Sequence, residues 1–189
     1  MKDSCRIVVV GVGGQGVLFA SKVISQAALL KGKNVVMSEV HGMAQRGGVV
    51  TCNVCIGDLR SPLVGDCEAD MILGFEPVET YRSLAKANPD TRIITSTSPL
   101  VPVGVSIGLE KYPDVKMLFD EIKKVTKKLT SIDSASLALE AGSFITENAV
   151  LLGALAATAE CPLEKQNILD ALKSNVPQKA IEMNVRAFE

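Results

Sequence analysis

The sequence predicts an α/β fold, a mostly parallel sheet flanked by helices with a helical C-terminal section. Three observations carry this prediction. Short apolar runs alternate with segments of helical periodicity through the first two thirds of the chain. The first apolar run passes through a glycine-rich turn straight into a helical pattern. Beyond Asp133 the chain carries helical spacing punctuated by Pro162 and Pro177 and no further strand-like run.

The elements follow in order. Arg6–Val10, preceded by Cys5, reads as a buried strand, and Val17–Lys31 as a helix with Leu18, Val23, Ala27 and Leu30 on its apolar positions, ended by Gly32. Asn34–Met37 is a second strand, with Ser38 and Glu39 at its end. A glycine-rich loop spans His41–Gly48, Val49–Ile56 is a third strand, and Gly57-Asp58 is a turn. Asp70–Leu73 and Arg92–Thr95 are strands on either side of a helix over Glu76–Ala87, which has Pro77 in its first turn. Ser96–Pro102 is a loop stiffened by Pro99 and Pro102, and Val103–Ile107 is expected to be extended. Val115–Leu129 places Leu118, Phe119, Ile122, Val125 and Leu129 on one face of a helix, with Lys123, Lys124, Lys127 and Lys128 off it. Thr130–Asp133 is the last strand, and Ala135–Glu140, Asn148–Ala159, Leu163–Lys173 and Gln178–Arg186 are helices. Strands joined by crossover helices imply a Rossmann-like arrangement in one domain over residues 1–189.

Composition removes several classes of function. A net charge of −1 offers no field to attract nucleic acid or an anionic membrane. With no Trp and 4% aromatic residues there is little to stack on single strands. No apolar run approaches the ~18–20 residues that span a bilayer. Met1-Lys2-Asp3-Ser4 has neither the charge nor the apolar core of a signal peptide, so a cytoplasmic protein is expected. Five scattered cysteines argue against a disulfide framework. Cys52 and Cys55 have C-x-x-C spacing but lie within a predicted strand, where residues three apart point to opposite faces; they are expected to pack rather than to bind a metal.

Two segments carry the chemistry. Gly11, Gly13 and Gly16 have G-x-G-x-x-G spacing, with Glu39 at the end of the second strand. Such a turn lets backbone approach an anionic group and directs helix N–H donors at it; the same glycines also serve where a helix simply packs closely on a sheet. Gly14 and Gln15 lie inside the turn, and the Gln15 amide is placed to reach a ligand or the following loop. That loop holds His41, the only histidine, with Gln45, Arg46, Gly42, Gly47 and Gly48. Histidine moves protons near neutral pH and arginine clamps carboxylates or phosphates, while a loop of this composition suits ligand contact and subunit contact alike. The residues by themselves leave open a stand-alone enzyme binding NAD or FAD through Gly11–Gly16 and Glu39. No P-loop lysine, G-x-S-x-G, H-E-x-x-H, cluster-binding cysteine array or Mg²⁺-binding acidic cluster is present.

The pairing of Gly11-Val-Gly-Gly-Gln-Gly16 with Ser38-Glu-Val-His-Gly-Met-Ala-Gln-Arg-Gly-Gly48 resembles the gamma-type domain of 2-oxoacid:ferredoxin oxidoreductases. The second loop is similar to the type that acts on indolepyruvate. The resemblance covers most of the chain. It implies one subunit of a heteromer that oxidatively decarboxylates arylpyruvates, acylates coenzyme A and passes electrons to ferredoxin. It implies that thiamine diphosphate, Mg and iron–sulfur clusters belong to a larger alpha subunit, with no cofactor held by this chain alone. It also implies that Gly11, Gly13, Gly14, Gln15, Gly16 and Glu39 form a phosphate, coenzyme A or interface loop. His41, Gln45 and Arg46 would then lie at an active-site interface. Self-association is a further possibility the resemblance leaves in place; nucleic acid and membrane are not expected partners.

Overall fold

The computed structural model describes residues 4–42, 47–109 and 111–189. Its centre is a six-stranded sheet in the order β2-β3-β1-β4-β5-β6. The strands are β1 (Cys5–Val12), β2 (Val35–His41), β3 (Val49–Ile56), β4 (Met71–Gly74), β5 (Arg92–Ser96) and β6 (Leu129–Ile132). β1, β4, β5 and β6 pair in parallel, whereas β3 pairs antiparallel with both β1 and β2. Val9 illustrates the register: it lies opposite Leu73 on one side and Cys52 on the other, and Cys52 lies in turn opposite Glu39.

The alternation of β1 divides the interior into two layers. Ile7 and Val9 enter the larger core with α1 (Val17–Leu30), α6 (Glu147–Ala156), α7 (Lys165–Asn175) and α8 (Ile181–Phe188). Val8 and Val10 enter a smaller core on the opposite face, closed by Ile122 of α4 (Val115–Val125). α2 (Pro77–Arg82) packs beside α4 on that face. Between β6 and α6 runs α5 (Ser134–Ala141). Burial of apolar side chains on both sheet faces is the main favourable term holding these layers together.

Most elements fall where the apolar spacing puts them, and the departures have local causes. α1 ends in a Schellman motif, with Lys33 N–H donating to Ala28 O and Gly32 N–H to Leu29 O, Gly32 taking the required positive φ of 72°. β2 runs past Met37 to His41, because β3 folds back on it as a hairpin. The helix expected to reach Leu129 stops at Val125. Thr126 turns extended and its hydroxyl donates to Thr91 O at 2.9 Å, which frees Leu129 to pair with Ile93. Leu129 continues the i, i+4 spacing from Val125, so periodicity alone cannot see that switch. Val103–Ile107, expected to be extended, instead starts with the short helix α3 (Val103–Ser106), in which Val105 and Ser106 N–H donate to Pro102 O. The helix over Glu76–Ala87 becomes α2 followed by a 3₁₀ turn over Ser83–Lys86.

Candidate functional site

In a parallel sheet the carboxyl ends of the strands are where ligands bind, and both glycine-rich segments come to that end. Gly11 completes β1 beneath the turn. A Cβ on it would lie 2.7 Å from Phe75 Cβ and 2.8 Å from Val17 Cγ2, so only glycine admits this approach of helix, strand and turn. Gly16, the N-cap of α1, has φ 87° and ψ 24°, a left-handed conformation natural to glycine. A Cβ there would meet Asn148 Nδ2 at 2.7 Å, so the first turn of α6 presses on the glycine turn. α1 begins without a side-chain cap, leaving its first N–H groups directed at the strand ends.

Gln15 is held within the turn itself. Its Oε1 accepts from Val12 N–H at 2.9 Å and its Nε2 donates to Phe75 O at 3.0 Å. The side chain therefore ties the turn to the end of β1 and to the exit of β4, rather than to the His41 loop. Gly13 N–H donates to Gly48 O at 2.8 Å, which joins the two glycine-rich segments through backbone.

Glu39 and His41 stand on the same face of β2, both exposed, and border a cleft of about 580 Å³ with Gly13, Gly14 and Gly16. His41 Nδ1 lies 3.3 Å from Gly42 O, its one hydrogen-bond contact among the described residues. Gln45 and Arg46 lie outside the described residues. β3 separates β2 from β1, so Glu39 is two strand spacings from the glycine strand, about 9.5 Å at ~4.8 Å each. In a dinucleotide-binding sheet the ribose-binding carboxylate comes from the neighbouring strand.

On the other face of the sheet lies a second cleft, of about 720 Å³, that sequence reasoning did not foresee. It runs from Gly13 and Gly14 past Glu76, Glu79 and Arg82 to Leu100, Val101, Lys111 and Tyr112. Glu76 is buried, caps α2 by accepting from Glu79 N–H at 3.0 Å, and accepts from the Tyr112 hydroxyl. Burial pushes the Tyr112 phenol far up, and the Glu76 carboxylate adds to this, so Tyr112 stays a donor at any physiological pH. Burial likewise raises the Glu79 carboxyl, against the opposing pull of Arg82, which donates to it at 2.7 Å. Two signals were available in the sequence: Leu100-Val101 between Pro99 and Pro102 at a strand end, and Glu76 preceding Pro77, the pattern of a helix cap.

A further buried carboxylate, Glu147, opens α6. Ser134 Oγ donates to its Oε1 at 2.6 Å, and Ser96 Oγ lies 3.3 Å from the same oxygen. Burial raises its carboxyl despite both hydroxyls, and the Asp133 charge raises it further. Ser96, Ser134 and Glu147 are brought together from the ends of β5, α5 and α6, and no spacing in the sequence announces them.

Cys52 and Cys55 are packing residues in this geometry. Cys52 belongs to the larger core and Cys55 to the smaller one, on opposite faces of β3. Burial raises both thiols. Among the described residues no group of three or more His, Cys, Asp or Glu side chains is placed to hold a metal ion. Nor is any described helix long and apolar enough to cross a membrane.

Taken with these two clefts at the strand ends, comparison with known proteins defines the class. Residues 6–189 match the family described as pyruvate ferredoxin/flavodoxin oxidoreductase, and the chain belongs to that family. It is 38% identical over 183 residues to the indolepyruvate oxidoreductase subunit IorB of Methanothermobacter thermautotrophicus, a match covering 97% of this chain and 93% of that protein. It is 42% identical over 190 residues to the subunit of the same name from Thermococcus kodakarensis, again over 97% and 92% of the two chains. Among solved structures, the keto/oxoacid ferredoxin oxidoreductase gamma subunit of Geobacter sulfurreducens shares the fold with a TM-score of 0.69 at 22% identity, covering 97% of this chain and 94% of that one. The 2-oxoglutarate:ferredoxin oxidoreductase of Magnetococcus marinus, solved with 2-oxoglutarate, coenzyme A and succinyl-CoA bound, shares it with a TM-score of 0.73 at 20% identity. That match covers all of this chain but 30% of the other.

Proposed function

We propose that this chain is the small subunit of an indolepyruvate:ferredoxin oxidoreductase. The reaction converts an arylpyruvate, coenzyme A and two oxidised ferredoxins to the aryl-acetyl-CoA, carbon dioxide and two reduced ferredoxins, with release of a proton. The observation that carries this reading is the glycine turn joined through backbone to the His41 loop, on a chain that matches indolepyruvate oxidoreductase subunits over nearly its whole length.

Thiamine diphosphate with Mg, and the iron–sulfur clusters, belong to the larger partner subunit in this reading; the thiazolium supplies the carbanion stabilisation that decarboxylation needs. This chain's residues bind and orient. The α1 N-terminus and the turn at Gly14 and Gly16 present backbone donors to an anionic group, such as a coenzyme A phosphate, with Gln15 holding the turn in shape. In this reading His41, which borders the cleft on the same face of β2 as Glu39, exchanges a proton with a bound group, and the sequence supplies Gln45 and Arg46 close by as donors to a carboxylate. The alternative, a stand-alone NAD- or FAD-binding enzyme, is disfavoured by β3, which sets Glu39 one strand too far from the turn.

The test is reconstitution. The chain is co-expressed with a thiamine-binding partner subunit, and reduction of ferredoxin or a viologen dye is followed with indolepyruvate and coenzyme A. Turnover only when both chains are present supports the reading. No turnover with any 2-oxoacid while the partner holds its cofactors, or saturable NAD binding by the isolated chain, overturns it. Arg46→Ala separates the loop's roles: turnover lost from an intact complex assigns active-site contact, and loss of the complex assigns assembly.

A further inference from the structure

The Asn148 side chain leaves its hydrogen-bonding capacity unused within the described residues. Its Oδ1 is closed off from solvent and has no partner. Its Nδ2 stands against Gly16, 2.7 Å from where a Cβ on that glycine would lie, and donates to none of the described residues. Folding ordinarily leaves few buried polar atoms unpaired, because each forfeits its hydration for nothing. The amide is nevertheless held in place through its neighbour. Glu147 accepts from Ser134 Oγ at 2.6 Å, and that hydroxyl oxygen lies 2.6 Å from Ser96 Oγ, which fixes the start of α6 to the end of β5. Among the described residues one other buried side-chain oxygen lacks a partner, Asn167 Oδ1 in α7. It lies one turn after Glu164, which pairs with Lys31 beyond the far end of α1.

We propose that Asn148 is a ligand-contacting residue of the glycine-turn site, its Nδ2 donating to the same oxyanion that the first N–H groups of α1 bind. The proposal rests on the reading of this turn as an anion site and adds to it a side chain from a distant part of the sequence. α1 starts at Gly16 without a side-chain cap, so its free backbone donors and the Asn148 amide adjoin one glycine. Glycine is what lets them meet, since a Cβ at position 16 would strike Nδ2. A phosphate offers several oxygens, so a side-chain donor beside a helix start adds to the backbone donors instead of competing with them. An oxyanion also accounts for the unpaired Oδ1. The charge-assisted hydrogen bond gained at Nδ2 on binding offsets the cost of keeping the amide buried and fixed. Glu147 and the two serines set the start of α6 without help from a ligand, so little ordering is left to do when the anion arrives.

The co-expressed complex is titrated with coenzyme A in the absence of any 2-oxoacid. Asn148→Ala and Asn148→Leu, the second keeping the side chain's bulk without its amide, are each expected to weaken binding about tenfold or more, the loss expected for one hydrogen bond to a charged group. Asn167→Ala should leave the affinity unchanged. In turnover the KM for coenzyme A should rise in both Asn148 variants while kcat at saturation is kept. Asn148→Leu should melt no lower than the parent, because the buried oxygen it removes had no partner. Unchanged coenzyme A affinity in the Asn148 variants, with or without a lower melting temperature, makes Asn148 a packing residue and overturns the proposal. In the isolated, unsubstituted chain, inorganic pyrophosphate should shift the NMR signals of the Asn148 side-chain amide together with the Gly16 backbone amide. Shifts at Gly14 and Gly16 without Asn148 overturn the proposal and leave the turn as an anion site. A parent complex that binds no coenzyme A removes both. A complex that binds coenzyme A through Asn148 yet turns over no 2-oxoacid keeps the proposal and removes the function.

Discussion

Replacing Gln15 with alanine tests whether this residue is structural. Its side chain makes one hydrogen bond at each end of the amide, from Val12 N–H at 2.9 Å and to Phe75 O at 3.0 Å. Val12 and Phe75 are both buried. Truncation leaves a backbone donor and a backbone acceptor without these partners, at about 1–3 kcal/mol for each group that water does not reach. The space vacated beside the turn admits water to part of the site, so the sum is placed at about 2–4 kcal/mol. For a chain of this length 1 kcal/mol corresponds to roughly 2–4 °C in melting temperature, giving an expected fall of roughly 4–16 °C. Urea unfolding of the isolated chain, followed by far-UV circular dichroism, measures the loss, and the slope of the transition should be unchanged. Gln15→Glu keeps the acceptor for Val12 but faces a carboxylate to Phe75 O, so it should also destabilise. A loss below about 0.5 kcal/mol for Gln15→Ala would refute the reasoning, because the turn would then be held by Gly13–Gly48 and packing alone.

Three further outcomes follow from named contacts. Gly153→Ala places a Cβ 2.0 Å from Phe188 O and must push α8 from α6, costing about 1–3 kcal/mol, whereas Gly42→Ala meets nothing within 4 Å among the described residues and should be neutral; thermal melts compare them. Glu147 has a raised carboxyl, so the folded state holds its proton more tightly than the unfolded state. Its contribution to stability is therefore full at low pH and declines as pH rises above about 4.5 through the raised value. Glu147→Gln should flatten that decline and be at least as stable as the parent at pH 7.5, measured by denaturation at pH 4.5, 6 and 7.5; a parallel pH dependence would contradict it. Of the five cysteines only Cys67 is exposed, so an aromatic disulfide reagent should titrate one thiol rapidly in the native chain and all five after unfolding. Rapid reaction of a second thiol would mean that β3 does not bury Cys52 and Cys55 as described.

The sequence by itself determined the units of this protein. Apolar runs such as Ile7–Val10, the glycine spacing at Gly11, Gly13 and Gly16, and the stop at Gly32 are local signals, because strand, turn and helix end are set by neighbouring residues. The opposite facing of Cys52 and Cys55 was also legible, since alternation on a strand needs no tertiary information. The paired glycine and histidine segments pointed to the family for a similar reason: each motif is contiguous. What the tertiary structure alone decided depends on contacts between distant parts of the chain. β3 enters antiparallel between β2 and β1, and this placement, not the spacing, puts Glu39 out of reach of a ribose-binding position. Leu129 left the α4 pattern because Ile93, thirty-six residues earlier, offered it a strand partner. Gln15 bonds Phe75, Tyr112 bonds Glu76, and Glu147 gathers Ser96 and Ser134, pairings whose partners no local rule names. Hydrogen bonds and packing across such separations are selected by the closure of the whole core, so they become visible only once the chain is folded.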